Sequence, residues 1–427
     1  MSVNAHPLPW VDPVTLFRGG PAAADGGFWL DAGPHATEGW SYLGIGRSGA
    51  PVPRDRACAV GPAHAHAWGP FSGGWIGWID YDAAAARAGA PARPVPGAAR
   101  GTQVGEFVAI DHAQRRMWAV APPARVVDFA AEVARWAAAT PEPVPDPVPT
   151  QAVGRDQPDA YAGLVEACRD AIREGDAYQL CLTTRFGVAG PIDPVGAYVR
   201  LRQATPSHHG GFVRCGDTTL ASATPEKFLD ITGGVVRTHP IKGTRPRGAS
   251  AEADAGLARE LRRSPKEQAE NVMIVDLMRN DLQRVCDPGT VTVERLLAVE
   301  SYPAVHQLVS TVAGCLRAGT TIGDVLDAAF PAGSMTGAPK LSAMTILYRL
   351  EGASRGVFAG CFGWIGDDGA VDLAMTIRTI VCDPYGAYVG AGGGITWGSI
   401  AREEVAEVGI KARGPLGAIG ASLPPGW

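Results

Sequence analysis

Between residues 140 and 150 the chain reads TPEPVPDPVPT, with proline at alternate positions from Pro141 to Pro149. Each proline fixes its own φ and removes a backbone donor, so the run can enter neither a helix interior nor a sheet ladder. An extended spacer is what remains. The spacer predicts an N-terminal part over residues 1–140, a linker over 141–154 and a C-terminal part over 155–427. A chain of 427 residues, 46% of them hydrophobic, has material for two domains or one elaborate one.

The N-terminal part holds short aromatic runs punctuated by glycine: FWLDAG (28–33), GWSYLGIG (39–46) and GGWIGWIDYD (73–82), followed by QRRMWAV (114–120). All four read as strands, VVDFAAEVARWAAA (126–139) as a helix, and the Pro/Ala-rich stretch 89–100 as a loop. After the linker, a helix over 159–175 puts Tyr161, Leu164, Val165, Cys168 and Ile172 on one face, with Asp159 as its cap and Gly175 as its stop. Then come a strand (177–188), a hairpin centred on Gly233 and Gly234 (228–241), and a helix over 264–281. Strands follow at 357–366, 371–382 and 387–396, before a last helix from about residue 399. Strands interrupted by unequal helical excursions predict a mixed α+β architecture rather than regular βαβ winding.

A net charge of −5 without a clustered basic face excludes a nucleic-acid or membrane-surface partner. The eight cysteines are scattered, with no C-x-x-C pair and no zinc-type spacing, and read as buried thiols in a reducing compartment. The start MSVNAHPLPW is no secretory leader, and no run of about 18 apolar residues occurs, so a cytoplasmic location is expected.

Several constellations could carry chemistry. Glu267 and Glu270 lie three apart on one predicted helix, as do Glu404 and Glu407 on another, so each pair shares a face. Converging helices would gather all four carboxylates around a hard cation, for which Mg²⁺ is suited; an exposed helix face carries the same pattern. Lys411, one turn past Glu407, can be its ion-pair partner. Glu226 and Lys242 stand at opposite ends of the predicted hairpin, giving either an acid beside an amine or a surface salt bridge. FPAGSMTGAPK (330–340) offers backbone N–H groups and hydroxyls for an anion but lacks the Gly-Lys-Ser/Thr of a phosphate loop. GAGGGIT (390–396) is no dinucleotide fingerprint and suits close backbone approach to a ligand. Arg378 alternates with apolar residues on its predicted strand, as a carboxylate clamp would. His64 and His66 have no third metal ligand nearby, and Cys361 has no His-x-Glu of a glutaminase after it.

PEKFL, PIKGTRPRG, EQAENVMIVDLMRNDLQRV, FPAGSMTGAPK, TIRT, AGGGI and the terminal Glu-x-x-Glu-x-x-x-Lys occur in the order found in the chorismate-utilising enzymes. Over residues 155–420 the chain resembles that family, which includes anthranilate, aminodeoxychorismate, isochorismate and salicylate synthases. The resemblance implies an anthranilate synthase component I-like fold, a large antiparallel β-sandwich surrounded by helices with the site between the sheets. It also assigns roles. Lys242, where anthranilate and salicylate synthases have alanine, is similar to the lysine with which aminodeoxychorismate synthases attack ring C2 of chorismate while the C4 hydroxyl leaves. Glu226 would protonate that hydroxyl, and ammonia would then enter at C4. Glu270 and Glu407 would hold Mg²⁺, with Glu267 and Glu404 around them. Thr244, Ser334, Thr336, Arg378, Gly392, Gly393, Gly394 and Lys411 would bind the substrate. Leu180 falls where isochorismate and salicylate synthases carry a water-activating lysine. The expected product is 4-amino-4-deoxychorismate, on the route to p-aminobenzoate and folate or to a secondary metabolite, with ammonia supplied by a glutamine amidotransferase subunit.

The chain departs from the family at two places. Gln307 replaces a histidine, and His306, one position earlier, faces the other side of the strand; Trp397 and Gly398 replace Ala-Asp. Anthranilate or 2-amino-2-deoxyisochorismate synthesis is the alternative reaction, and a lapsed subunit that binds chorismate or tryptophan is the alternative of another class.

Overall fold

The glycine-punctuated runs owe their shape to close packing between strands. In Gly74–Ile79 every residue is buried, and a Cβ at Gly101 on the neighbouring strand would stand 2.0 Å from the Trp75 indole. Such double-sided burial is why these runs read as continuous apolar stretches. The computed structural model describes residues 3–61, 66–93, 99–302 and 305–427. His64 and residues 94–98 of the Pro/Ala-rich stretch lie outside them.

Among the described residues two large sheets form, of 12 and 10 strands. All the pairings within them are antiparallel, so the expected antiparallel sandwich is the observed architecture. A shared core joins the facing surfaces, with Phe28, Tyr42 and Phe107 from the larger sheet against Trp78, Phe362 and Trp364 from the smaller. The outer face of the larger sheet packs on helices that include Pro158–Arg173 and Ala401–Ala418. That of the smaller packs on Pro265–Gln283 and Ile322–Ala329. The order is therefore helices, sheet, sheet, helices.

The proline segment lies along the surface, held by Arg18 to the Glu142 carbonyl and by Arg200 to the Pro145 carbonyl at 2.8 Å. Strands from both sides of it enter both sheets, so the two parts share one core. Helix Pro158–Arg173 buries Tyr161, Val165 and Cys168 as its periodicity predicts, but it starts on Gln157, and Asp159 falls inside the first turn. The predicted strand 73–82 ends at Ile79, where the short helix Tyr81–Arg87 begins. Seven cysteines are buried, and Cys315, at a strand end, is exposed. Among the described residues no helix is long and apolar enough to cross a membrane.

Candidate active site

Two neighbouring segments cross from one sheet to the other. Thr218–Thr224 pairs with Thr379–Asp383 in the larger sheet, and their continuations Lys227–Thr232 and Val371–Met375 pair in the smaller. The expected single strand 371–382 is thus broken at 376–378, because its halves belong to different sheets. The crossovers run side by side: the Met375 N–H donates to the Glu226 carbonyl at 3.0 Å, and the Ala223 N–H to the Arg378 carbonyl at 3.2 Å. Arg378 turns this corner with φ +49°, a region non-glycine residues avoid. One bend therefore brings an acid and a guanidinium to the seam between the sheets.

Glu226 is 7% exposed and accepts a hydrogen bond from the Ser334 hydroxyl at 3.0 Å. Burial pushes its pKa up to about 7 against the opposing pull of Lys242, the Ser334 bond, Lys411 and Arg378. Burial likewise lowers the Arg378 pKa, with Glu226 opposing. Ser334 reaches Glu226 from the single turn Gly333–Thr336, whereas the Thr336 hydroxyl turns back on the carbonyls of Ala332, Gly333 and Gly337 and is not brought to Glu226.

Lys242 occupies a β-bulge. Ile241 pairs with Val309 and Thr244 with Gln307, so Lys242 and Gly243 oppose a single residue, Leu308. A bulge re-aims side chains. Gly243 takes φ +81°, and a Cβ there would stand 2.9 Å from the Glu267 carboxyl. The Lys242 ammonium lies 3.6 Å from where a Gly394 Cβ would sit, so a side chain at 394 would crowd it. Arg245, three positions past Lys242, commits its guanidinium to Glu260 at 3.0 Å and Glu267 at 3.6 Å. His239 pairs with Asp230 and Arg247 with Asp254, away from the bulge.

The two Glu-x-x-Glu helices do converge. Glu270 has its pKa raised by burial and by Glu267 and Glu407, with Lys242 and Lys266 opposing. Glu404 is raised by burial and by Glu407, with the Ser399 hydrogen bond opposing. A Cβ at Gly393 would stand 2.9 Å from the Glu404 carboxylate and 3.9 Å from that of Glu407, so the glycine leaves this space to the carboxylates. Lys411 pairs with Glu407 at 2.7 Å and donates to the Gly392 carbonyl at 2.8 Å. Among the described residues no group of three or more His, Cys, Asp or Glu side chains is arranged to hold a metal ion. The donors are all carboxylate oxygens, the type that Mg²⁺ takes, and a cation here would need water or an anionic ligand to complete its shell.

These motifs lie within residues 53–417, the span matched by the model of the chorismate binding enzyme family. The chain belongs to that family.

Among its relatives is the aminodeoxychorismate synthase of Streptomyces pristinaespiralis, 40% identical over 367 residues that cover 82% of this chain and 51% of that one. Another is anthranilate synthase component 1 of Thermus thermophilus, 44% identical over 61% of this chain and 56% of that one. Anthranilate synthase component I of Streptococcus pneumoniae superposes with a TM-score of 0.73 at 32% identity, over 83% of each chain. The chain spans about half the length of the Streptomyces aminodeoxychorismate synthases it matches.

In this member of the chorismate binding enzyme family Leu180, matched above to the water-activating lysine of isochorismate and salicylate synthases, does not face Lys242 from strand Gln179–Ala189. Leu180 and Leu182 point into the core behind the sheet. Gln179, one position earlier, is fully buried on the other face; its amide would meet a Gly394 Cβ at 2.6 Å, and neither amide atom has a hydrogen-bond partner among the described residues. The alternation Gln179, Leu180, Cys181, Leu182, Thr183 carries that signal, since only the odd positions can share a polar face. Thr244 is exposed, opposite Gln307. Gln307 is 1% exposed, its Oε1 unpartnered, and with Arg378 it lines a cavity of about 560 Å³. His306 faces away as expected, bonded to Ser301 at 2.7 Å and Asp254 at 2.9 Å. Trp397 is 59% exposed. Cys361 is fully buried in its strand, and burial pushes its thiol pKa up, the opposite of what a nucleophile needs.

Proposed function

We propose that the chain joins chorismate and ammonia into 4-amino-4-deoxychorismate. The Lys242 amine forms a bond to ring C2 as the double bond shifts and the C4–O bond breaks; Glu226 gives its proton to the departing hydroxyl. Ammonia then bonds to C4, the double bond shifts back, and the lysine amine leaves C2. The observation that carries this reading is a buried acid, bonded to Ser334 and within the electrostatic reach of Lys242, whose pKa of about 7 lets it hold a proton near neutral pH. Arg378, the Gly392–Gly394 backbone (392–394), Ser334 and Thr244 are the proposed substrate contacts, with Thr336 supporting the turn from behind.

Glu270 and Glu407 would hold Mg²⁺, with Glu267 and Glu404 beside them. Bound there, Mg²⁺ supplies positive charge that neutralises the carboxylates and takes a carboxylate of the substrate. Ammonia is assigned to a glutamine amidotransferase partner, and Cys361, buried with a raised pKa, is no substitute for its nucleophile.

Incubation with chorismate, Mg²⁺ and an ammonium salt, followed by mass spectrometry, tests the reading. Aminodeoxychorismate without pyruvate is expected. The Thermus relative, an anthranilate synthase at 44% identity, favours a second reading, which anthranilate plus pyruvate would establish instead. Ligand binding without any turnover would leave a regulatory subunit.

A further inference from the structure

Behind the site lies a buried ion pair. Helix Lys340–Glu351 ends on Glu351, and Arg355 folds back onto it with a contact of 2.7 Å, the two side chains 3% and 1% exposed. The guanidinium makes four hydrogen bonds from its three nitrogens. Its Nε and Nη2 reach Glu351 at 2.9 and 2.7 Å, Nη1 donates to the Met335 carbonyl at 2.6 Å, and Nη2 also donates to the Cys181 carbonyl at 2.7 Å. Its plane lies over the Tyr81 ring at 4.2 Å. Glu351 in turn accepts from the Thr183 N–H and hydroxyl, both at 2.9 Å. Asp82, next to Tyr81, accepts from the Gly356 N–H at 2.7 Å and anchors the same segment.

An ion pair buried this deeply is a weak source of stability, since apolar residues of similar volume often do as well or better. What it supplies is direction. The two carbonyls it grips are not arbitrary: Met335 follows Ser334, the residue bonded to Glu226, and Cys181 pairs with Gly394, the glycine beneath Lys242.

We propose that Arg355 is a positioning residue for the Glu226 proton, holding the Met335 carbonyl so that Ser334 stays at hydrogen-bond distance from Glu226. Through Cys181 the same guanidinium fixes the strand that faces Lys242. Only the kinetic consequence rests on Glu226 acting as the acid; the geometric claim does not.

The test follows the Glu226 carboxyl directly, by NMR titration of the whole chain carrying ¹³C-labelled glutamate, with the signal assigned through Glu226→Gln. Lys242 from the bulge, Lys411 from the last helix and Arg378 from the crossover face Glu226 and are retained throughout. Ser334→Ala removes a donor to the carboxylate, so the midpoint should rise by about one pH unit. Arg355→Lys keeps the charge but loses the fork, and should raise the midpoint in the same direction. The double variant should add little to the larger single shift. A midpoint that Ser334→Ala moves and Arg355→Lys leaves in place would overturn the proposal, as would fully additive shifts. Should Arg355→Lys not fold, Glu351→Gln, which keeps an acceptor for Thr183, should move the midpoint the same way by less; no movement counts against the proposal. Where the midpoints shift but the basic limb of kcat stays fixed, the acid role of Glu226 fails while the positioning role stands.

Discussion

Glutamate is used in two contrasting surroundings. Glu226 stands alone at the sheet crossover, buried, with one hydroxyl donor and cations opposite; burial dominates, and its pKa rises to about 7. Glu267, Glu270, Glu404 and Glu407 stand together where two helix faces meet, three apart on each, with lysines at the margin. The surroundings suit the two roles proposed above: a solitary acid in a dry seam can keep a proton at neutral pH, and clustered carboxylates repel one another unless positive charge offsets them. Position in the fold, rather than residue type, divides the roles.

The sharpest way to break this contrast is to remove the amine between the two regions. Lys242→Ala should lower aminodeoxychorismate formation from external ammonia by about a thousandfold or more, read by mass spectrometry at saturating chorismate. A full rate in that variant would end the covalent reading. Glu226→Gln comes next, with a loss in kcat of roughly 10²–10⁴. The acid must carry its proton to work, so wild-type kcat should fall as pH rises through about 7, and this limb should disappear in the glutamine variant. An unchanged limb would assign the titration to another group.

The helix cluster should respond differently. Glu270→Gln and Glu407→Gln should weaken Mg²⁺ by about 10–100-fold, with kcat recovering as Mg²⁺ is raised. Magnesium titrations of the rate distinguish this from a Glu226-type loss, which no concentration of metal restores. If both helix variants lost activity without any change in half-saturating Mg²⁺, the carboxylates would be acting on the substrate or the fold rather than on an ion.

How much of this was legible beforehand depended on range. The Glu-x-x-Glu spacing lies within one helix turn each, so the shared faces could be read from residue numbers, and the structure adds that Glu407 of one helix lies near enough to act on Glu270 of the other. The hairpin around Gly233 and Gly234 was equally local. The sheet change at 376–378 was not, since 371–382 keeps one uninterrupted β pattern and only its partners reveal that its halves belong to different sheets. For the same reason Arg378 looked like a strand residue and is a corner residue. Arg355 of the Glu351–Arg355 pair grips the Met335 carbonyl 20 positions upstream and the Cys181 carbonyl 174 upstream, and no spacing rule encodes that combination. The proline segment was recognisable as extended, yet its place between two parts of the sequence says nothing of how strands sort, and they sort across it.

Gln179 gives the finest form of the comparison, because it shares the dry environment of Glu226 without a donor like Ser334. Its amide has no partner among the described residues, and a buried unsatisfied amide costs about 1–3 kcal/mol. A leucine there would fill much the same volume and remove that cost. Gln179→Leu should therefore raise stability by about 1 kcal/mol in chemical denaturation, while lowering kcat or raising KM for chorismate, since the polar face toward Lys242 is lost. Gain and loss are expected together. A variant that is less stable yet fully active would mean that the amide is satisfied within the fold and serves packing alone, leaving Glu226 and Lys242 without a polar neighbour from that strand.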